Sequence, residues 1–455
     1  MKNLTLENLA RVTGGIYNGP VEVLEQEVSA IVTDSRKVGE GCLFVPIKGA
    51  RVDGHSFIPS VMEAGALATL SEEDLGEVPF PWIQVESSLQ AVKDMAAFYL
   101  EQLAIPVVGV TGSVGKTSTK EAIATVLSEK YRTLKTPGNL NNELGLPLTV
   151  FSLRDEDEIA VLEMGINHFG EMTRLAKVAK PETMVITCIG AVHLEYLGDR
   201  DGVLKAKTEC LPYVKQGGHL LFNGDDDKLR TIDHYEDLKV DYFGLGEDCE
   251  NRATDLVPLG FDGTEATLHF LGETLRVKVP VPGFHMVTNA LAAAVVGKYY
   301  GLTKEEIKAG IEKITTIAGR FHIITANDMT LVDDCYNANP MSMKASLDIL
   351  KQATGRRVAI LGDMGELGEE EVELHREVGR HLAGLGIEEA IFVGSLSKEM
   401  YQAAMDAGMK EGVYHEESVE SLLAHLSSYV KAGDTVLMKA SHFMGFERVV
   451  EALQK

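Results

Sequence analysis

Short uninterrupted apolar runs separated by segments of helical periodicity mark most of the chain. Ile105–Val110 reads as a buried strand, and Thr117–Lys130 follows as a helix with Ile123, Val126, Leu127 and Tyr131 on one face. Further apolar runs fall at Ile159–Leu162, Thr183–Thr187 and His219–Phe222, with helical stretches between them. That alternation predicts a parallel sheet with crossover helices. Residues 255–281 instead alternate apolar and polar, as at Leu275, Val277 and Val279, which predicts antiparallel strands beside the main sheet. A second alternating block starts near Arg320, with strands expected at Arg357–Leu361, Ala390–Val393 and Thr435–Lys439. The first hundred residues mix short apolar runs with turn residues and end in an apolar segment, Ala91–Ala104. The breaks give three units, 1–104, 105–315 and 316–455, all α/β: a small N-terminal unit, a central parallel-sheet unit and a Rossmann-like C-terminal unit. No fixed-period repeat or low-complexity tract interrupts them.

Length supports this division, since 455 residues at roughly 100–200 per domain make about three domains. Apolar residues are 45% and charged residues 24% of the chain, the balance of a soluble globular protein. No window reaches the roughly 18 apolar residues of a membrane span, and MKNLTLENLA lacks the features of a signal peptide. A soluble cytoplasmic protein is therefore expected. The 43 Lys+Arg against 68 Asp+Glu leave a formal charge of −25, which argues against a nucleic-acid partner. It leaves room for an anionic small ligand held by a local cluster of donors. Cys42, Cys188, Cys210, Cys249 and Cys335 are scattered and form no CxxC pair, so buried reduced thiols are expected.

The strongest local signal is GVTGSVGKTST, Gly109 to Thr119, between the first strong strand and its helix. Gly112 and Gly115 let backbone N–H groups turn toward phosphate oxygens at a helix N-terminus. Lys116 would neutralise the β/γ-phosphates, and the Thr117 hydroxyl would ligate Mg²⁺. Val110 stands where the strict P-loop pattern wants glycine, so the match is to TGxxGKT. Glu163, ending the run Ile159–Leu162, would emerge beside the loop as a hard oxygen ligand for the metal. In the C-terminal unit, Gly362, Gly365 and Gly368 give GxxGxxG rather than GxGxxG, and read as a tight turn at a strand end. The acidic stretch Gly365–Gly379 reads as a solvated helix face.

Several strings together resemble the ATP-dependent Mur ligases over nearly the whole chain. The phosphate loop has the family form TGxxGKT[ST], which accounts for Val110. TPGNLNNELGLPLT (Thr136–Thr149), LEMGINHFGEM (Leu162–Met172), IGAVHLEYLG (Ile189–Gly198) and KAKTE (Lys205–Glu209) are similar to successive family segments. DDCYNANPMSM (Asp333–Met343) is the most discriminating. It resembles the branch that adds D-alanyl-D-alanine to UDP-N-acetylmuramoyl-tripeptide, with Cys335 in place of the usual Ser. LGDMGELG (Leu361–Gly368) points to the same branch. TDSRKV (Thr33–Val38) and GARVDGHSF (Gly49–Phe57) resemble segments holding the UDP-sugar end. Two elements depart: HMVTN has Met286 where the family carries Asn, and KASH (Lys439–His442) replaces a KGSR-like element.

The resemblance implies an amide ligase in which ATP phosphorylates a carboxylate and an amine attacks the acyl phosphate. The precursor would bind the first unit, ATP the middle one, and the dipeptide the third, which closes the site; a monomer is expected. Its catalytic set would be Lys116, Glu163, His193 and Lys207. Nucleotide contacts would come from Gly112, Ser113, Val114, Gly115, Lys116, Thr117, Ser118, Asn289, Arg320, Asp334, Asn337 and Asn339. Two Mg²⁺ ions are implied, held by Thr117, Glu163, His193 and Lys207, the last as a CO₂-derived carbamate. Lys205 takes that role if the register is off by two. The UDP-precursor would meet Ser35, Arg36, Asp53, Gly54, His55, Asn139, Asn141 and Asn142. From residue type alone, Asn337 and Asn339 are equally turn-forming residues before Pro340. Another family ligase, such as a folylpolyglutamate synthase, a P-loop NTPase switch and a nucleotide-binding scaffold remain as alternatives.

Overall fold

In the computed structural model, which describes residues 1–49 and 52–455, the apolar runs are strands of three sheets. The first sheet holds β1 (Ile16–Asn18), β2 (Ile31–Val32), β3 (Leu43–Phe44), β4 (Ala68–Ser71) and β5 (Trp82–Gln84), in the order β1-β5-β4-β3-β2. All its pairings are parallel except β1 with β5.

The second sheet comprises β6 (Val107–Thr111), β7 (Thr133–Lys135), β8 (Ile159–Glu163), β9 (Thr183–Ile186), β10 (His219–Asn223), β11 (His234–Tyr235), β12 (Leu238–Gly244), β13 (Asn251–Pro258), β14 (Thr264–Phe270) and β15 (Glu273–Val279). Its order is β15-β14-β13-β12-β10-β9-β6-β8-β7, with β11 on β12. The alternating residues 255–281 form antiparallel strands beside the parallel ones, as expected, and do so within the same sheet. They extend it, because β13 pairs parallel with β12, and β14 and β15 then fold back antiparallel. One face of β14 is buried, which is why that stretch alternates while the central strands do not.

The third sheet is β16 (His322–Ala326), β17 (Met329–Asp333), β18 (Arg356–Gly362), β19 (Glu389–Val393), β20 (Val413–Glu416) and β21 (Asp434–Lys439), ordered β16-β17-β21-β18-β19-β20. Only β16 runs antiparallel to its neighbour.

Both large sheets are covered on both faces, and the strands show it with period two. Val108, Val110, Val161, Val185 and Leu221 enter one core; Val107, Ala160, Leu162, Met184 and Phe222 enter the other. Ala359, Leu361 and Phe392 likewise face away from Val358, Ile360 and Ile391. The helix Phe284–Tyr299 is apolar nearly all round and packs on the phosphate-loop helix Lys116–Leu127. Gly297 permits that contact, since a Cβ there would come 3.0 Å from Val126 Cγ1, and Gly310 lets the next helix, Lys304–Ile311, approach the same residue, where a Cβ would come 2.6 Å from the Val126 Cα.

The helix Ser88–Leu103 contacts the helix Leu6–Thr13 on one side and Gly145–Phe151 on the other. Its core is continuous from Leu4 to Phe222, so apolar packing runs through the junction near residue 104. The five cysteines are free and buried, as expected. Among the described residues no helix is long and apolar enough to cross a membrane.

Candidate active site

Parallel strands end on the same side, and four of them deliver the cleft. The phosphate loop follows β6, Glu163 ends β8, Thr187 and Cys188 follow β9, and Asn223 ends β10. All these segments line one cleft of about 800 Å³, at the strand ends where open α/β sheets bind ligands. Ile47 and Leu89 line it from the first domain, and Arg320, Asp334, Asn337 and Lys439 from the third.

The loop Ser113–Gly115 opens into the helix Lys116–Leu127 through Gly115 at φ +83°. Gly112, at φ +147°, lies against the segment after β9: a Cβ there would come 1.9 Å from Thr187 Oγ1. Ser113 N donates to the Cys188 carbonyl (2.9 Å), Val114 N to Cys188 Sγ (3.3 Å), and Thr187 Oγ1 to the Val114 carbonyl (2.5 Å). Gly190 N donates to Ser113 Oγ (2.9 Å), and Asp226 Oδ2 accepts from Ile189 N (2.7 Å). Thr187, Cys188 and Asp226 buttress the loop from far along the chain, and no motif marked them. Burial pushes the Cys188 thiol up from its ordinary range, so it acts as a neutral hydrogen-bonding group. Gly112→Ala is expected to cost about 2–3 kcal/mol and to weaken ADP binding as the loop is pushed off Thr187. Thermal unfolding and ADP titration check both.

Lys116 Nζ donates to the carbonyls of Gly112 (2.8 Å) and Ser113 (3.4 Å), folding back over the loop. Desolvation lowers its pKa, partly opposed by the Glu163 carboxylate. Glu163 is 1% exposed. Its Oε1 accepts from Asn141 Nδ2 (2.7 Å), while Oε2 is buried with no hydrogen-bond partner, 3.5 Å from Lys120 Nζ. Thr117 Oγ1 is likewise buried without a partner. Orphaned buried oxygens are costly, and a hydroxyl and a carboxylate oxygen are the donors a hard divalent cation takes. This pair fits Mg²⁺. Among the described residues no three His, Cys, Asp or Glu cluster as a metal site. Lys120, fully buried and donating to the Thr136 carbonyl (2.7 Å), went unnoticed in the sequence because a lysine on a helix is ordinarily solvated.

The helix Arg200–Thr208 separates the two candidate lysines. Lys205 lies over the Phe169 ring (5.7 Å), whereas Lys207 is 1% exposed and has no hydrogen-bond or ion-pair partner among the described residues. Burial, with the Lys116 charge adding to it, pushes the Lys207 ammonium down to about 7. An amine neutral near physiological pH and without a partner fits conversion to a carbamate. His193 lines the cleft and pairs through Nδ1 with Glu366 of the third domain. Burial lowers its pKa, and the Glu366 charge opposes the shift.

The two departures from the family pattern have physical content. Asn289 Oδ1 accepts from Thr119 Oγ1 (2.9 Å), and its Nδ2 donates to Met286 Sδ (3.4 Å), so Met286 helps to orient Asn289. His442 lies beside Tyr336, with ring centroids 5.9 Å apart, and Arg320 sits over the other ring at 4.1 Å. Asp334 is a hub, accepting from Phe321 N (3.0 Å) and Ser346 Oγ (2.6 Å) and pairing with Lys439 Nζ (2.7 Å). Asn339 Oδ1 caps the helix Pro340–Leu350 by accepting from Ser342 N (2.9 Å). Asn337 Oδ1 accepts from Ala338 N (2.9 Å), so both asparagines do turn and cap work while lining the cleft.

The residues assigned to the UDP-sugar end are not brought together. Asn141 and Asn142 line the main cleft, while Asn139 is exposed. Asp53 and His55 line a separate hollow of the first domain with Phe80, and the Asp53 carboxylate accepts from His55 Nδ1 (2.7 Å). Gly54 packs closely on Ile47. Arg36, beside Ser35, is exposed and pairs with Asp34. Ala50 and Arg51 of GARVDGHSF lie outside the described residues.

A phosphate loop and a buried carboxylate with one oxygen lacking a hydrogen bond, in a cleft walled by three α/β domains, together with a buried, partner-free lysine on the same domain, define a nucleotide-dependent ligase of the Mur type. The chain belongs to the Mur ligase family: residues 27–100 match the family's catalytic-domain model, 110–297 the Mur ligase middle domain, and 319–442 the Mur ligase glutamate ligase domain. It is 35% identical to the UDP-N-acetylmuramoyl-tripeptide–D-alanyl-D-alanine ligase of Bacillus subtilis, over 99% of this chain and 98% of that one. Its fold matches MurF from Acinetobacter baumannii with a TM-score of 0.90 at 30% identity, covering 99% of this chain and 98% of that one. MurF ligase from Thermotoga maritima, solved in complex with ADP, matches with a TM-score of 0.83 at 30% identity, covering 93% and 97%.

Proposed function

We propose that this chain is the ATP-dependent ligase that joins D-alanyl-D-alanine to UDP-N-acetylmuramoyl-tripeptide, a step in building peptidoglycan precursor. The observation that carries the reading is the single cleft lined by the phosphate loop, Glu163 and His193 of the middle domain and by residues of both flanking domains. The whole-length identity to relatives bearing that activity's name supports it. We place the domain limits near residues 104 and 316, and assign the protein to the cytoplasm as a monomer.

A carboxylate is a poor electrophile, and its oxide a poor leaving group. In the proposed reaction a carboxylate oxygen of the tripeptide attacks the γ-phosphorus, and the bond to ADP breaks. The dipeptide amine then attacks the acyl carbon and loses a proton, and phosphate leaves as the amide forms. The protein contributes alignment and charge neutralisation. Lys116 and the loop N–H groups hold the phosphates, and Asn289, Arg320 and the Asp334 segment hold the nucleoside. Thr117 and Glu163 would hold one Mg²⁺, and His193 with carbamylated Lys207 a second; these ions supply Lewis-acid neutralisation of phosphate and carboxylate charge. The first domain takes the UDP end through Asp53, His55 and their neighbours. Walls from all three domains keep water from the acyl phosphate.

The test is phosphate release from ATP–Mg²⁺ with the UDP-muramoyl tripeptide, with and without D-alanyl-D-alanine, and the product weighed by mass spectrometry. Release that needs both substrates and yields the pentapeptide is expected. Release indifferent to both would make the protein an NTPase switch, and no release a scaffold.

A further inference from the structure

The acidic stretch Gly365–Gly379 is largely solvated, and one of its exposed carboxylates reaches across a domain boundary. Glu366, in the turn after β18, accepts from His193 Nδ1 on the middle domain. Both residues have left-handed backbones, φ +54° at His193 and φ +60° at Glu366, a conformation side-chain-bearing residues rarely adopt. The two domains are in contact around them. Gly368, at φ +65°, packs against the helix Leu194–Leu197, where a Cβ would sit at van der Waals distance, 3.4 Å from Glu195 N. Leu374, one turn into the next helix, packs against the cores of both domains. This is a built seam between the third domain and the segment that carries His193.

We propose that Glu366 is a positioning residue through which the third domain completes the second cation site on the middle domain. An ionised carboxylate only accepts hydrogen bonds, so Glu366 places the imidazole proton on Nδ1. The lone pair is then on Nε2, which has no partner among the described residues, on a ring that lines the cleft. A carboxylate behind a histidine is the usual device for orienting a metal-binding imidazole and raising its basicity. Here the carboxylate belongs to a different domain. Cation binding and closure of the third domain are therefore one linked equilibrium, each strengthening the other. The inference rests on the two-cation reading given above.

The test counts Mn²⁺ bound to the full chain, by electron paramagnetic resonance, with a non-hydrolysable ATP analogue present. The wild-type chain is expected to bind two ions. Glu366→Ala is expected to weaken the second by about 10–100-fold and leave the first, at Thr117 and Glu163, unchanged, which also shows that the variant is folded. Glu366→Gly relieves the left-handed backbone and serves if the alanine variant does not fold. Glu366→Gln, whose carbonyl can still accept from Nδ1, should recover part of the loss. In small-angle scattering, Mn²⁺ with the analogue should compact the wild-type chain more than Glu366→Ala. Two wild-type ions with an unchanged second affinity in Glu366→Ala would overturn the positioning role alone. A single ion in the wild-type chain would overturn the two-cation reading and this inference with it.

Discussion

Lys116→Met slows acceptor-dependent phosphate release by about 10²–10³-fold, the loss found when one preorganised charge at a developing anion is removed. The substitution keeps the length and apolar stem of the side chain and deletes only the ammonium. That ammonium is tied to the Gly112 and Ser113 carbonyls, so it is poised over the loop before any phosphate arrives. Its pKa is lowered by burial, and nearby Glu163 opposes the shift, which shows an ammonium partly stripped of water. A stripped cation interacts with a phosphate oxygen in a lower dielectric and has little reorganisation to undergo in the transition state. The loop carbonyls left behind can be hydrated from the cleft, so Tm should shift by no more than about 3 °C. Steady-state kinetics separate the roles: a fall in kcat larger than the rise in KM for ATP means Lys116 acts chiefly on the transferring phosphoryl group. A rate within threefold of wild type, with the fold intact, would remove Lys116 from the chemistry.

The sheets and the phosphate loop were legible because both are local patterns. Central strands buried on two faces appear as short apolar runs, and the loop needs only its glycines, Lys116 and Thr117 in order. What supports the loop was not legible. Thr187, Cys188 and Asp226 are unremarkable residues until β9 and β10 bring their ends beside β6, and the crossovers that do so are set by the whole sheet. Lys120 was hidden for another reason: helical periodicity places it, but only packing reveals that its ammonium is buried beside Glu163. The choice of Lys207 over Lys205 came from resemblance, not spacing, and the burial of Lys207 supplies a physical difference between them. The antiparallel strands were legible beside the main sheet, but not that they continue it, because alternation reports which faces are buried and not which edge a strand joins. Glu366 is solvated like its neighbours, and its contact with His193 was hidden for a similar reason. A contact between domains leaves no periodicity in either.

Lys207→Met is expected to lose activity by about 10²-fold or more while making the protein more stable at neutral pH, and the two effects have one cause. The buried, unpaired amine is costly as an ammonium. With a folded-state pKa of about 7 against an ordinary 10.5, the unfolded chain holds a proton that the folded chain releases. Between those values the unfolded state binds more protons, so this group makes stability rise with pH; below about 7 both states are protonated and the penalty is present in full. Methionine removes the charge, so urea unfolding should show a gain near pH 7 and a flatter slope from pH 7 to 10. The same lowered pKa makes the lysine reactive. Only about 0.03% of an ordinary lysine is neutral at pH 7, but about half of Lys207 would be, ready to add to CO₂. The reaction joins the amine nitrogen to the carbon of CO₂ and releases a proton, so at fixed dissolved CO₂ the carbamate increases with pH. Activity of the wild-type chain should therefore fall in CO₂-depleted buffer and return on adding bicarbonate, with ¹³C-bicarbonate giving a carbamate signal that Lys207→Met lacks. In Lys207→Ala, formate or acetate should restore part of the rate by occupying the space of the missing carboxylate. If the variants stay active and the wild-type rate ignores CO₂, Lys207 is only a buried lysine, and the gain in stability would remain as its sole signature.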